Sequence, residues 1–110
     1  MTTQPLEPVV AKIERRQSPR KQFRGKLEVE WGSATLDGTV RDIGLEGLFV
    51  ELMPPLWVGA RFRARLVLNP VLWLDCTVVR VEPGKGIAVR FETPEGGGKT
   101  QLEALLMSLL

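Results

Sequence analysis

Two arginines and a short acidic, glycine-containing segment are the residues whose types and spacing could bind a specific ligand. Arg16 and Arg20 lie four residues apart in a basic N-terminal stretch, and the segment 42–47 (Asp-Ile-Gly-Leu-Glu-Gly) follows about twenty residues later. Each arginine offers a planar guanidinium that can donate two parallel hydrogen bonds. The segment adds a carboxylate, and its glycines leave the backbone accessible. Together these residues fit an anionic, guanine-containing ligand.

Positive charge is concentrated near the N-terminus, although the net charge of the chain is only +2. Seven lysines and arginines lie between Lys12 and Lys26, against one acid, Glu14. A local positive cluster attracts phosphates, nucleic acid or acidic protein surfaces. By itself such a run is most often a solvated tail, so its interpretation depends on the acidic segment that follows.

The composition argues against a metal site and against catalysis. The chain has no histidine and one cysteine, Cys76, so neither a His/Cys zinc site nor an internal disulfide can form. The usual general base near neutral pH is also missing. The three aspartates, Asp37, Asp42 and Asp75, show no paired spacing that indicates carboxylate catalysis. We therefore expect a binding protein, not an enzyme, with no metal and no cofactor.

Length and composition indicate one soluble domain, which we expect in the cytoplasm. The chain has 110 residues, of which 44% are hydrophobic and 25% charged. It shows neither a secretory signal nor an apolar run of membrane-spanning length. We predict a flexible leader over residues 1–13 and a single domain over 14–110. The domain would comprise a basic ligand loop (14–22), a barrel (23–92) and a C-terminal helix (99–110).

The middle of the chain has the alternating pattern of β-strands. Apolar residues recur at every second position in 23–31 and 61–68, and turn residues separate the apolar segments. Gly38 marks an expected bulge or bend in the second strand. The six predicted strands are 23–31, 34–42, 47–52, 61–68, 71–82 and 85–92. Six short strands at close spacing indicate an all-β protein, either an antiparallel barrel or a sandwich.

A helix is predicted after the glycines 96–98. Residues 100–103 have the form of a capping box, in which the Thr100 side chain accepts a hydrogen bond from the Glu103 N–H. One apolar face follows, made of the leucines at positions 102, 105, 106, 109 and 110. The pattern leaves two places open for this face, the end of a barrel or a contact between subunits.

Three segments resemble the motifs of PilZ domains. Residues 14–20 (Glu-Arg-Arg-Gln-Ser-Pro-Arg) resemble the RxxxR motif of the family, and residues 42–47 resemble its [D/N]xSxxG motif. Residues 86–91 (Gly-Ile-Ala-Val-Arg-Phe) resemble the last strand of the family. The resemblance covers about residues 14–92, and it is specific because the motifs occur in order within six predicted strands. It implies a six-stranded antiparallel β-barrel that senses cyclic di-GMP in bacteria.

The resemblance implies a cyclic di-GMP site made of Arg15, Arg16, Arg20, Asp42, Gly44 and Gly47. An arginine can donate to both O6 and N7 of guanine, or pair with a phosphate. Asp42 can accept from guanine N1–H and N2–H, and Gly47 allows a close backbone approach. Gly44 departs from the motif, because it replaces the serine. A lost hydrogen bond to a charged group costs roughly 1.5–3 kcal/mol, so we expect a lower affinity.

Other arginines are weaker candidates. Arg20 and Arg24 also lie four residues apart, but Arg24 falls inside the first predicted strand. Arg41 and Arg90 are expected on the outer wall near the ligand. The arginines at positions 61, 63 and 65 form a basic strand face of the kind that is usually solvated.

Two functions fit these residues. The first is a small stand-alone receptor for cyclic di-GMP, whose arginine loop orders on binding and alters the contact with an unidentified protein partner. The second is a PilZ-like interaction module that no longer binds the nucleotide, because Gly44 lacks the hydroxyl. Nucleic-acid binding is disfavoured, since base stacking needs aromatic side chains and the chain has no tyrosine. Both a monomer and a homodimer remain open.

Overall fold

The computed structural model describes residues 19–52 and 56–110. The predicted leader and two predicted ligand residues, Arg15 and Arg16, lie outside the described residues. The elements are β1 (Lys21–Trp31), β2 (Ala34–Ile43), β3 (Gly47–Leu52), β4 (Arg61–Leu66), β5 (Leu72–Glu82), β6 (Gly86–Phe91) and the helix α1 (Gly97–Ser108). Within these ranges no helix combines the length and the apolar character needed to cross a membrane.

The six strands form a closed barrel in the order β1-β2-β3-β6-β5-β4. Every neighbouring pair is antiparallel, and β4 pairs with β1 to close the barrel. The predicted six-stranded antiparallel barrel with a C-terminal helix is therefore confirmed. Closure leaves no long unpaired strand edge in the described barrel, which protects it from edge-to-edge association.

Period-two alternation produces the core. In β4 the apolar residues are buried while the arginines between them face outward, and β5 alternates in the same way over its first seven residues. Leu27, Leu66 and Leu74 are at most 1% exposed inside the barrel. Each such leucine contributes roughly 1.5–3 kcal/mol by leaving water. The outward positions of the same strands are thus free to carry polar function.

A β-bulge lies next to Asp42, not at Gly38 as the sequence indicates. The β2–β3 register shifts between Val40 and Asp42, whereas Gly38 pairs regularly with its neighbours on β1 and β3. Glycine at position 38 serves close packing instead, because a Cβ there would lie 2.6 Å from the Val50 Cγ2. A bulge re-aims the side chains beside it. The irregularity thus falls where the predicted ligand motif begins.

The capping box predicted for the helix is wrong. The helix begins at Gly97, with Gly96 as its N-cap and no capping side chain. Thr100 therefore lies within the first turn, where its hydroxyl is 3.4 Å from the Gly96 carbonyl oxygen. The first turn of the helix packs closely on Pro94 and Leu72, and glycine at position 98 allows this. A Cβ on Gly98 would lie 2.9 Å from the Pro94 side chain and 3.3 Å from the Leu72 side chain.

The leucine face of α1 packs against the barrel. Leu102 is fully buried, and Leu105, Leu106 and Leu109 pack against the core while partly exposed. Leu110, predicted on the same face, is 82% exposed because the helix ends at Ser108. The predicted leucine face, apart from Leu110, therefore contacts the barrel core.

Candidate ligand-binding site

The segment 42–47 forms the end of β2, a tight turn and the first residue of β3. Asp42 is the penultimate residue of β2, and Gly47 opens β3. The Gly44 N–H donates to the Gly47 carbonyl at 2.8 Å, which closes the turn. The bulge before Asp42 and this turn together place the carboxylate and the glycine backbone at one end of the β2–β3 wall.

Arg20 and Asp42 meet at this wall. Pairing of β1 with β2 sets Lys21 opposite Ile43 and Gln22 opposite Asp42, so the residue before β1 reaches the turn. The Arg20 Nη1 lies 2.7 Å from the Asp42 Oδ1. The two side chains remain 42% and 33% exposed. An exposed pair of this kind contributes at most about 1 kcal/mol, so a ligand can replace it at low cost.

Gly47 provides the space in which the Arg20 guanidinium lies. A Cβ at this position would stand 3.2 Å from the Arg20 Nη2 and 2.5 Å from the Val89 carbonyl oxygen. The second distance is well inside van der Waals contact, and the atom belongs to the backbone of β6, so a side chain would force the strands apart. Glycine is therefore required here by the barrel wall.

Gly44 is buried in the turn. Among residues 19–52 and 56–110, the glycines with positive φ are Gly32, Gly59, Gly84, Gly86 and Gly96. Gly44 is not one of them, so its backbone has a conformation that serine also adopts. The departure from the serine motif is thus a change of side chain and not of backbone geometry.

The two arginines expected near the ligand have different surroundings. Arg90 pairs with Gly47 across β6 and β3, so it lies beside the Arg20 guanidinium. Arg41 instead stacks over the Phe49 ring at 5.3 Å and approaches Glu51 at 3.6 Å. We therefore include Arg90 in the candidate site. Arg41 instead contacts Phe49 and Glu51 on the adjacent strand β3.

Arg90 also lines a cleft of about 700 Å³ that continues from the site across β6, β5 and β4. Arg61 and Thr77 line the same cleft. The sequence pattern predicts that Arg61 belongs to a solvated strand face. The periodicity correctly places its side chain outside the barrel, but the pairing of β4 with β5 and of β5 with β6 decides what it faces.

Among residues 19–52 and 56–110, Cys76 and the acids do not have the arrangement of a metal-binding centre. Burial raises the pKa of the Cys76 thiol to about 12, and the nearby Asp75 charge adds to this increase. The thiol therefore stays protonated near neutral pH. In the described part of the chain, no three His, Cys, Asp or Glu side chains converge as metal ligands.

A model of the PilZ domain family matches residues 14–108 of the chain. The chain belongs to the PilZ domain family. The match extends past the barrel, to which the motif resemblance was limited, and includes the helix α1.

Two solved PilZ structures have the same fold as the chain. The PilZ domain of YcgR from Escherichia coli, solved with c-di-GMP, is 18% identical with a TM-score of 0.71, and the alignment covers 86% of this chain and 91% of that one. The PilZ domain of CeSA from a cellulose-synthesizing bacterium is 23% identical with a TM-score of 0.64, covering 84% and 98%. Comparison with curated proteins gives no match.

Proposed function

We propose that this PilZ domain is a bacterial receptor for cyclic di-GMP that acts as an adaptor and not as an enzyme. One observation carries the proposal: the Arg20 guanidinium lies at the Asp42 carboxylate and directly over Gly47. Two separate motifs, 22 residues apart, thus meet in one small volume. The structural relative from Escherichia coli, solved with c-di-GMP, supports this choice of ligand.

The chemistry of these groups suits a guanine nucleotide. Asp42 presents two oxygens, which match the N1–H and N2–H donors of guanine. Arg20 presents a planar fork that pairs with phosphate or with guanine O6 and N7. In the absence of ligand these two groups bind each other, so ligand binding exchanges one exposed ion pair for several charge-assisted hydrogen bonds. Such bonds are roughly twice as strong as neutral ones.

We also propose that the ligand orders the part of the segment 14–22 that precedes Arg20 against the barrel. Arg20 provides the anchor, since it lies immediately before β1 and already reaches the turn of the site. Arg15 and Arg16 would then close over the nucleotide from the other side. A segment that changes position in this way presents a new surface to a protein partner, which is how a domain without catalytic groups can act in the cytoplasm.

Isothermal titration calorimetry with cyclic di-GMP tests the receptor function. We expect saturable heat and a higher melting temperature in the presence of ligand, since a ligand that binds only the folded state stabilises it. GMP is the matched control, because it has one base and one phosphate and should bind much more weakly. Absence of both heat and thermal shift at high micromolar cyclic di-GMP would reject the receptor function.

The second candidate is a PilZ-like interaction module that no longer binds the nucleotide. The observation that favours it is that Gly44 replaces the serine of the motif. The missing hydroxyl weakens the turn as a ligand site, while the fold that would bind a partner is intact. Restoring the motif separates the two functions. If the wild-type chain binds nothing and Gly44→Ser binds cyclic di-GMP, then the second function is correct.

A further inference from the structure

A row of outward-facing residues joins the candidate site to the neighbouring cleft. Strand register sets Gly47 beside Arg90, Arg90 beside Thr77, and Thr77 beside Arg61. Adjacent strands lie about 4.8 Å apart, so Thr77 is roughly 10 Å from Gly47 and is flanked by two arginines. The Arg20 guanidinium lies over the Gly47 end of this row. Three guanidinium groups therefore follow one line along the barrel wall.

The two arginines of the cleft are available for a ligand. Arg61 and Arg90 are exposed, and neither forms an ion pair with a described residue. Arg63 differs, because it lies over Trp73 at 4.3 Å and approaches Asp75 at 3.9 Å, although it belongs to the same strand as Arg61. Arg61 and Arg90 therefore have no ion-pair partner among the described residues, whereas Arg63 has one.

Acids lie beside these donors, so the cleft does not suit a simple anion. Glu46, Asp75 and Glu92 line it together with the two arginines. Backbone hydrogen bonds fix the main chain of these acids beside the cleft: the Phe91 N–H donates to the Glu46 carbonyl at 2.9 Å, and the Glu92 N–H donates to the Asp75 carbonyl at 3.1 Å. A phosphate would be repelled by three carboxylates. A neutral ligand would not be repelled, and if it has acceptors on one edge and donors on another it can bind both the arginines and the acids.

A guanine base has that pattern. Its O6 and N7 accept from a guanidinium, and its N1–H and N2–H donate to a carboxylate. A cyclic dinucleotide holds two bases on opposite sides of one sugar–phosphate ring. If one base is bound between Arg20 and Asp42, then the other can reach the cleft, which begins at the next strand.

We propose that the cleft between Arg90 and Arg61 receives the second guanine of a cyclic dinucleotide whose first guanine is bound at Arg20 and Asp42. The proposal rests on the receptor function stated above. It assigns base selectivity to Arg61 and Arg90 as donors to O6 and N7, with Glu46 and Glu92 as acceptors for N1–H and N2–H. Thr77 leaves the space between the arginines open.

Titrations with two ligands test this assignment. The ligands are cyclic di-GMP and the mixed cyclic dinucleotide that carries one guanine and one adenine in the same ring linkage. Adenine presents a donor where guanine presents O6, so the wild-type chain should prefer cyclic di-GMP by about tenfold. Arg61→Ala should reduce cyclic di-GMP affinity by about tenfold and leave the mixed ligand nearly unchanged, so that the preference disappears. Arg63→Ala is the matched control and should keep the preference.

The outcomes separate the two proposals. If the wild-type chain binds neither ligand, then the receptor function is wrong and the cleft assignment is wrong with it. If cyclic di-GMP binds and Arg61→Ala keeps the full preference, then the receptor function stands and the cleft assignment alone is rejected. Melting curves of both variants show whether they are folded. Arg61→Lys, which keeps the charge without the planar fork, should recover only part of the preference.

Discussion

Arginines lie on two walls of this barrel, and their surroundings differ. Around Trp73, on a patch that we call the tryptophan wall, Arg63 and Arg65 stack on the indole ring at 4.3 Å and 5.6 Å. Arg65 also pairs with Glu28 across the strands. Around Gly47, on a patch that we call the site wall, Arg20 has one exposed carboxylate partner and Arg90 has none among the described residues.

The two walls differ in the neighbours of their arginines and not in the number of arginines. The guanidinium groups of the tryptophan wall contact aromatic and acidic neighbours, so they stabilise the barrel surface. The site wall keeps its guanidinium groups accessible and sets a glycine, Gly47, where a side chain would fill the space. If the site wall binds the ligand as we propose, then accessible guanidinium groups beside a gap created by glycine indicate the site better than positive charge does.

The largest effect is expected from filling the gap on the site wall. In Gly47→Ala the new methyl group would lie 2.5 Å from the Val89 carbonyl oxygen, so the strands must shift. We expect the free energy of unfolding to fall by about 1–3 kcal/mol and the affinity for cyclic di-GMP to fall with it. Chemical denaturation and calorimetric titration measure the two quantities.

Gly97→Ala is the control for that substitution. Gly97 lies in the helix with no atom within 4 Å of a Cβ and without a positive φ. Alanine there should be neutral or stabilising by about 0.5–1 kcal/mol, because glycine is the poorer helix former. Equal losses of stability in the two variants would contradict the special role of Gly47.

Removing one arginine from each wall is the next test. Arg20→Ala should weaken cyclic di-GMP binding by about tenfold or more, since it removes a charge-assisted contact. Arg63→Ala removes the same charge from the tryptophan wall and should change affinity by less than about twofold, because the sites are separate. If the two variants lose affinity equally, then binding reflects general positive charge and the distinction between the walls fails.

Restoring the motif serine should sharpen the site wall. Gly44→Ser adds a hydroxyl in a backbone conformation that serine can adopt. We expect tighter cyclic di-GMP binding, by up to about tenfold if the hydroxyl bonds a charged group of the ligand. A weaker affinity would show that the buried turn needs glycine at this position, and the role assigned to Gly44 would then be wrong.

The smallest effect is expected on the tryptophan wall. Arg65→Ala removes the Trp73 stack and the Glu28 pair, both near the surface. We expect a loss of about 1 kcal/mol or less in the free energy of unfolding, with no change in ligand affinity. A clear loss of affinity in a variant that is still folded would place the tryptophan wall in the binding site.

The alternating segments were sufficient to predict the six strands, and the resemblance to PilZ domains selected a barrel over a sandwich. Each strand was found to within two residues at either end, because period-two burial depends on local order alone. The helix start was missed, since the packing of Gly98 on Pro94 and Leu72 is a tertiary contact. The bulge lies at Arg41 and not at the predicted Gly38. Its position depends on the register between β2 and β3, which is also a tertiary feature.

The site was predictable in part. The motifs named Arg20, Asp42 and Gly47, which the fold does bring together. Their role in binding remains a prediction, as does that of Gly44 and of Arg15 and Arg16, which lie outside the described residues. The position of Arg61 at the cleft could not be predicted, because it results from the pairing of three strands and no local pattern encodes that pairing.

Chemical-shift mapping of the isotope-labelled protein during titration with cyclic di-GMP tests the central claim most directly. The chain should show its largest shifts at the amides of residues 42–47 and of Arg90. The indole N–H of Trp73, on the tryptophan wall, should stay unchanged and serves as an internal control. Shifts centred on Trp73 and Arg63, with none at residues 42–47, would contradict the account.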